Sequence, residues 1–332
     1  MTKKWLFFII AALIGCILAF AAMLFIPKSN DGTQKILIKK GDSISTISQQ
    51  LASKEVIYSR PFLVLSSRLL GRSQVRPGQY RLSESMSTWD ILQKLAGNPD
   101  SFYVRIPEGS TIKDMRRIIK NLPHLDDTTS HLSTAQFIQK IDANAPADRY
   151  PEGLFFPDTY EYTPGMNDVQ LFKIAYDKMQ NELQDAWDDR QNNLPYQNPY
   201  ELLIMASIIE KETAHPNDRE HVAAVFVNRL RIDMRLQTDP TVIYGMGERY
   251  SGKIYRSDLR RDTPYNTYTR AGLPPTPISL PSTAALQAAG NPSSEKYLYF
   301  VSKMDSTGES YFSHDLKEHN AAVNKYIRKR GN

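Results

Sequence analysis

The sequence predicts an α+β protein with three parts. One N-terminal transmembrane helix leads into a small strand-helix module, followed by a larger mixed α/β domain around a central glutamate-bearing helix. Three observations carry this. Residues 5–26 are uncharged and almost wholly apolar, with Lys3 and Lys4 before them and Lys28 after. A strand-turn-helix pattern recurs at constant offset, with Gly41, Ile44 and Ile47 answered by Gly109, Ile112 and Met115. The stretch ELLIMASIIEKETAH, residues 201–215, sets Glu210 and Glu212 at the end of a long apolar run.

The first run is long enough for one helix across about 30 Å of hydrocarbon. It is longer than the apolar core of a cleaved signal peptide, about 7–15 residues. The Leu13-Ile14-Gly15-Cys16 box is a loose match to a lipidation site, but residues 17–26 stay apolar beyond it. The positive-inside rule puts Lys3 and Lys4 in the cytoplasm and the remainder of the chain outside it. The expected parts are a cytoplasmic stub (1–4), the span (5–26), a polar linker (27–34), a module (35–97) and the main domain (98–330).

In the module, Ile36 and Ile38 alternate with lysines as in an edge strand. Gly41-Asp42 marks a turn, and Ser43 caps a helix with Ile44, Ile47 and Leu51 on one face. Arg76-Pro77-Gly78 is a tight turn. A related unit runs through residues 80–97, with Met86, Trp89, Leu92 and Leu95 inward. These units are too short to bury their own faces and should pack together.

In the main domain, residues 131–145 give a helix and loop, and 151–160, rich in proline and aromatics, an ordered wall. Residues 169–187 are an amphipathic helix with Leu171, Ile174, Ala175, Met179 and Leu183 inward. The glutamate-bearing helix follows, then a second strong helix in 219–234, where Asn228 and Arg229 suit polar links between the two. A capped turn at Thr238-Asp239-Pro240 leads to a short element ended by Gly245 and Gly247. The proline-rich stretch 265–282 cannot be a sheet interior and forms a rigid polar and aromatic surface suited to carbohydrate. The chain closes with a buried strand (297–303), a turn, a strand (310–313) and a helix from about 316 to 328. The basic tail of Lys325, Arg328, Lys329 and Arg330 fits a solvated helix end better than a nucleic-acid site.

The 332 residues hold one cysteine, inside the apolar run, and six histidines without HExxH spacing. The soluble part therefore has no disulfide and no thiolate nucleophile, and we expect no catalytic metal and no cofactor. A formal net charge of +5 suits an anionic surface or polymer. Ser207 lacks an elbow motif, so His215 does not point to a serine hydrolase.

Residues three, four and seven apart share a helix face, so Glu212 lies over Met205, Ile208 and Ile209. Burial there disfavours its charge and raises its pKa, which suits a proton donor. Glu210 remains the alternative register, and a surface glutamate at a helix end the bland one. Asp239 fits a turn or cap, or a second carboxylate beside Glu212. Gln237, Asn266, Tyr244 and Tyr268 fit sugar binding, with caps, turns or core as competing roles.

The stretches SIIEKET, VFVNRLRIDMRLQTDPTVIYGMG, YNTYTRAGLPPTPIS and YLYFVSK, with RPGQY and PEGLFFPDTY, resemble the endolytic murein transglycosylase, or YceG-like, family over nearly the whole chain. The N-terminal module looks LysM-like. The resemblance implies a bacterial inner-membrane enzyme with its catalytic domain in the periplasm, acting on peptidoglycan. It would cut nascent glycan strands internally and leave a 1,6-anhydro-N-acetylmuramic acid end. Ile209-Glu210-Lys211-Glu212-Thr213 is similar to the apolar-x-x-Glu-Ser setting of lytic transglycosylases, with Thr213 for serine, and picks Glu212. One glutamate serves as acid and then base, because the muramic C6 hydroxyl is the internal nucleophile. Synthases are plausible partners. A two-carboxylate hydrolase using Asp239, and a non-catalytic glycan- or synthase-binding scaffold, stay open beside it.

Overall fold

The apolar run becomes helix α1 (Lys3–Phe25), and Phe7–Phe25, of mean hydropathy 2.8, is long and apolar enough to cross a membrane. The structure, a computed structural model, describes residues 3–39, 41–146 and 149–328. Lys329 and Arg330 of the basic tail, and the first two residues of the expected stub, lie outside the described residues. The chain folds as two units. The first comprises residues 1–104, 122–126 and 161–167, and the second 105–121, 127–160 and 168–332.

In the first unit the last turn of α1 is docked. Leu24 is buried, the Thr88 hydroxyl donates to the Met23 carbonyl at 3.3 Å, and the Phe25 ring lies 5.6 Å from that of Trp89. Strand β1 (Lys28–Ser29) pairs antiparallel with residues 85–86, so the segment expected as a linker is already part of the fold. β2 (Gln34–Ile38) leads to α2 (Ile44–Ser53), capped by Ser43 and turning Ile44, Ile47 and Leu51 inward as its spacing predicts.

Sequence reasoning passed over α3 (Arg60–Leu69), although Ser59 caps it and Pro61 sits in its first turn. β3 (Gly78–Leu82) returns antiparallel to β2, from Gln34↔Leu82 to Ile38↔Gly78. β4 (Ser85–Met86) precedes α4 (Thr88–Ala96), which opens with a Ser87/Asp90 capping box. Ile36, Ile38, Ile47, Leu51, Leu63 and Tyr80 are among the buried side chains of the core. Trp89, expected inward with Leu92 and Leu95, is only half-buried and lies beside Phe25 instead.

The chain leaves this unit through β5 (Phe102–Arg105). The second copy of the repeat follows as α5 (Ile112–Lys120). Thr111 caps it as Ser43 caps α2, and Gly41 and Gly109 both have positive φ, 93° and 70°. The two copies fall in different units, the first in residues 1–104 and the second in 105–121.

The second unit continues with α6 (Thr134–Ile141), β6 (Thr159–Tyr162), where the chain recrosses, and α7 (Asp168–Asp188). On α7, Ile174 is 46% exposed and Phe172 takes the inward position instead. α8 (Pro199–Glu212) is the centre. Every residue from Leu202 to Ile209 is buried, so these two turns have no solvent face and one apolar stripe does not describe them. Each large apolar side chain buried there contributes about 1.5–3 kcal/mol.

Around α8 stand α7, α9 (Arg219–Arg231), α10 (Asp239–Met246) and, with the most extensive packing, α12 (Thr283–Gly290); α11 (Arg256–Arg260) packs on α10. α12 was not anticipated. Ser282 caps it, and Ala285, Ala288 and Ala289 are small enough for close approach. β7 (Tyr299–Ser302) and β8 (Ser310–Ser313) form an antiparallel hairpin. β7 is half-buried rather than buried, and among the described residues β8 is its one partner strand. Helix α13 (Leu316–Val323) ends the fold with a π-turn over Asn324–Arg328.

Candidate active site

Glu210 and Glu212 lie on opposite sides of the last turn of α8, since neighbours two apart diverge on a helix. Their partners separate them. Glu210 accepts the Ser282 N–H at 3.0 Å and the Ser282 hydroxyl at 2.6 Å, which places a carboxylate at the start of α12, where unpaired N–H groups and the helix dipole favour it. Glu212 accepts the hydroxyl of Thr238.

Thr238 stands at the N-cap position of α10, yet its hydroxyl caps nothing there. Its backbone is fixed independently. Its N–H donates to the Thr267 hydroxyl at 3.1 Å, and its carbonyl accepts the Thr241 hydroxyl at 2.8 Å. Gln237, just before it, is exposed and sits in the left-handed region at φ 51°, where a non-glycine residue is strained, while its N–H donates to the Thr267 carbonyl.

Burial is the main cause that pushes the Glu212 carboxyl up to about 7. The negative charge of Asp239 adds to it, while the Thr238 hydrogen bond and the Arg229 guanidinium oppose it. Arg229, 7% exposed on α9, donates Nε to the Leu298 carbonyl and Nη1 to the Leu236 carbonyl, both at 2.7 Å. Asn228 donates to the carbonyls of Glu295 and Tyr297. Both residues therefore tie α9 to the approach to β7, and Arg229 also holds the segment leading to Thr238; their hydrogen bonds go there rather than to α8, and Arg229 reaches α8 through its charge on Glu212.

Asp239 is exposed and accepts the Tyr268 hydroxyl at 2.6 Å. Asn266 is 1% exposed. Its amide donates to the carbonyls of Asp258, Leu259 and Arg261, closing the last turn of α11, and its oxygen accepts the Tyr268 N–H. Tyr244 donates its hydroxyl to Glu152 at 3.0 Å and sets its ring edge-on to Tyr265 at 4.9 Å. Gly245 allows that contact, because a Cβ there would come within 2.9 Å of the Tyr265 Cβ.

Sequence reasoning missed Glu152. It is 1% exposed and accepts the Ile112 N–H at 2.9 Å as well as the Tyr244 hydroxyl, joining the first turn of α5 to α10. Gly153, at φ 79°, lets its loop press against Pro277, where a Cβ would come within 2.5 Å. Burial pushes the Glu152 carboxyl up to about 7 against these hydrogen bonds. Its signal was a lone carboxylate in the apolar run PEGLFFP, to which the burial argument made for Glu212 applies equally. Among the described residues, no three His, Cys, Asp or Glu side chains come together as a metal site.

The raised pKa of Glu152 gives a signed prediction. The folded carboxyl holds its proton up to about pH 7 and the unfolded one only to its ordinary value of 4.5. Its contribution is therefore present below pH 4.5 and lost as pH rises through about 7. The span corresponds to roughly 3 kcal/mol. Glu152→Gln should gain on the wild type by an amount of that order between pH 5 and 8 in urea titrations. Parallel curves for the two proteins would refute the assignment.

The comparisons bear on the whole chain. The YceG-like family model matches residues 36–325. A Bacillus subtilis (strain 168) protein named endolytic murein transglycosylase is 32% identical over 326 residues, 91% of this chain and 87% of that one. A protein of the same name from Streptococcus pneumoniae serotype 2 is 26% identical over 328 residues, and the match spans 58% of its length. The crystal structure of a yceG-like protein from Listeria monocytogenes, 31% identical, superposes with a TM-score of 0.55 over 87% of this chain and 98% of that one. By its motifs, its fold and the extent of these matches, the chain belongs to the YceG-like family.

Proposed function

We propose that this protein is an endolytic murein transglycosylase that cleaves the bond between N-acetylmuramic acid and N-acetylglucosamine inside peptidoglycan strands. One observation carries the reading. Glu212, at the end of a helix buried from Leu202 to Ile209, has its carboxyl pushed up to about 7 and accepts the Thr238 hydroxyl. Such a group is a proton donor near neutral pH. Glu212 protonates the leaving glycosidic oxygen, and the bond from that oxygen to C1 of muramic acid breaks. The carboxylate then takes the proton of the muramic C6 hydroxyl as its oxygen closes on C1. The products are a 1,6-anhydro end and a free 4-hydroxyl, with Glu212 protonated again. Tyr268, Asp239 and Gln237 line the approach and orient the sugars, and Asn266 shapes the loop that carries Tyr268.

Helix α1 anchors the enzyme with Lys3 and Lys4 on the cytoplasmic side. The strand-helix-helix-strand element of the first unit serves as the LysM-like glycan-binding part, and the synthases that extrude new strands are its neighbours. The apolar length of α1 supports an association with the membrane, and the relatives' printed names support murein as the substrate.

Mass spectrometry of digested glycan strands tests the reaction. Ends lighter by one water than reducing ends are expected. Reducing ends as the main product would overturn the intramolecular step and assign Asp239 as a second carboxylate acting through water. Binding without any release would leave a scaffold.

A further inference from the structure

Of the three acids in residues 248–262, Glu248 and Asp262 are ion-paired and Asp258 caps the turn into α11, which leaves five cations against one unpaired carboxylate. Glu248 is bound to Lys113 at 2.6 Å, Asp258 accepts the Tyr255 N–H at 2.9 Å, and Asp262 holds Arg270 at 2.9 and 3.0 Å. Arg249, Lys253, Arg256, Arg260 and Arg261 are exposed, and none forms an ion pair among the described residues. Tyr250 and Tyr255 stand exposed between them, at 37% and 59%. Five exposed cations within thirteen residues make a local positive field that attracts a multivalent anion.

The segment is tied to the site. The Asn266 amide holds the carbonyls of Asp258, Leu259 and Arg261, its oxygen holds the Tyr268 N–H, and the Tyr268 hydroxyl reaches Asp239, next in sequence to Thr238. The last turn of α11 is therefore set by the same loop that faces the start of α10.

We propose that this basic segment is a subsite for the acidic peptide stems of the glycan strand. The inference rests on the reading of Glu212 given above. Each peptide-bearing muramic acid presents a chain of carboxylates beside the bond to be cut. Arginine forks match carboxylates in two parallel hydrogen bonds, and exposed tyrosines offer flat contact to the peptide backbone. The subsite gives the enzyme a preference for strands that still carry their stems.

The test uses the full chain in detergent, on stem-bearing strands and on the same strands stripped by an amidase. The triple variant Arg256→Gln, Arg260→Gln, Arg261→Gln should raise KM on stem-bearing strands about tenfold or more, equivalent to about 1.4 kcal/mol. On stripped strands KM and kcat should hold, and that constancy also shows that the variant is folded. The triple lysine variant should recover part of the loss through charge alone. Retention of each strand type by Glu212→Gln protein, with and without the triple change, gives a readout that does not need turnover. Strands retained through these arginines but never cleaved by the wild type would sink the catalytic reading and keep the subsite. Equal retention of stem-bearing and stripped strands by the wild type, or an equal loss on both in the variant, would overturn the subsite.

Discussion

Glu212→Gln is expected to remove most turnover, about 10²–10⁴-fold and toward the upper end, because one group serves both proton transfers. The amide keeps the size of the side chain and can still accept the Thr238 hydroxyl, so folding and strand binding should persist. With the carboxyl at about 7, wild-type activity should also fall as pH rises through that value, since the donor form is lost. Glu210→Gln should behave differently. Its partners are the N–H and hydroxyl of Ser282, so the change weakens the start of α12 and costs on the order of 1 kcal/mol of stability with little effect on turnover. Single-turnover release of glycan fragments, beside thermal unfolding, separates the two. Near-normal release by the Glu212 variant, or collapse confined to the Glu210 variant, would reverse the assignment.

Arg229→Leu is expected to be the most damaging change to stability. The guanidinium is buried, and its removal takes the donor from the buried Leu236 carbonyl and from the half-buried Leu298 carbonyl. A buried carbonyl left without a donor costs about 1–3 kcal/mol and a half-buried one less, so a loss of roughly 2–4 kcal/mol is expected from denaturant titration. Lysine should recover little, because a single ammonium cannot reach both carbonyls in the arginine's fork geometry. The freed 235–236 segment should also loosen Thr238, so remaining folded protein should turn over more slowly. A variant as stable as wild type would show that water replaces the guanidinium at both carbonyls.

Much of this fold was legible because its signals are local. Spacing marks Ser43 as a cap, and Ser87, Thr111 and Ser133, which sequence reasoning passed over, cap their helices through the same residue three positions on. Helix α12 was hidden because its alanines carry no periodic apolar signal, and it sits directly after a proline-rich loop. The choice between the two glutamates illustrates the limit. A face argument favoured Glu212, but α8 is enclosed on all sides through Ile209, so the face does not distinguish them. What distinguishes them is that Glu210 meets Ser282 and Glu212 meets Thr238, partners 72 and 26 residues away. Glu152 escaped notice for the same reason, since its ties to Ile112 and Tyr244 span 40 and 92 residues.

The docked last turn of α1 makes that apolar helix a handle rather than a leash. Met23, Leu24 and Phe25 are gripped by α4, and Lys28 is already in a strand, so no slack length separates the apolar helix from the first unit. In a bilayer, a tilt of α1 turns that unit with it, and a rotation of α1 about its own axis sweeps the unit around the insertion point. A flexible tether would let the unit wander over a hemisphere set by chain length. With α1 inserted, the docked unit would keep to a narrow ring at fixed height, and the thickness of the surrounding lipid, by setting helix tilt, would select which ring.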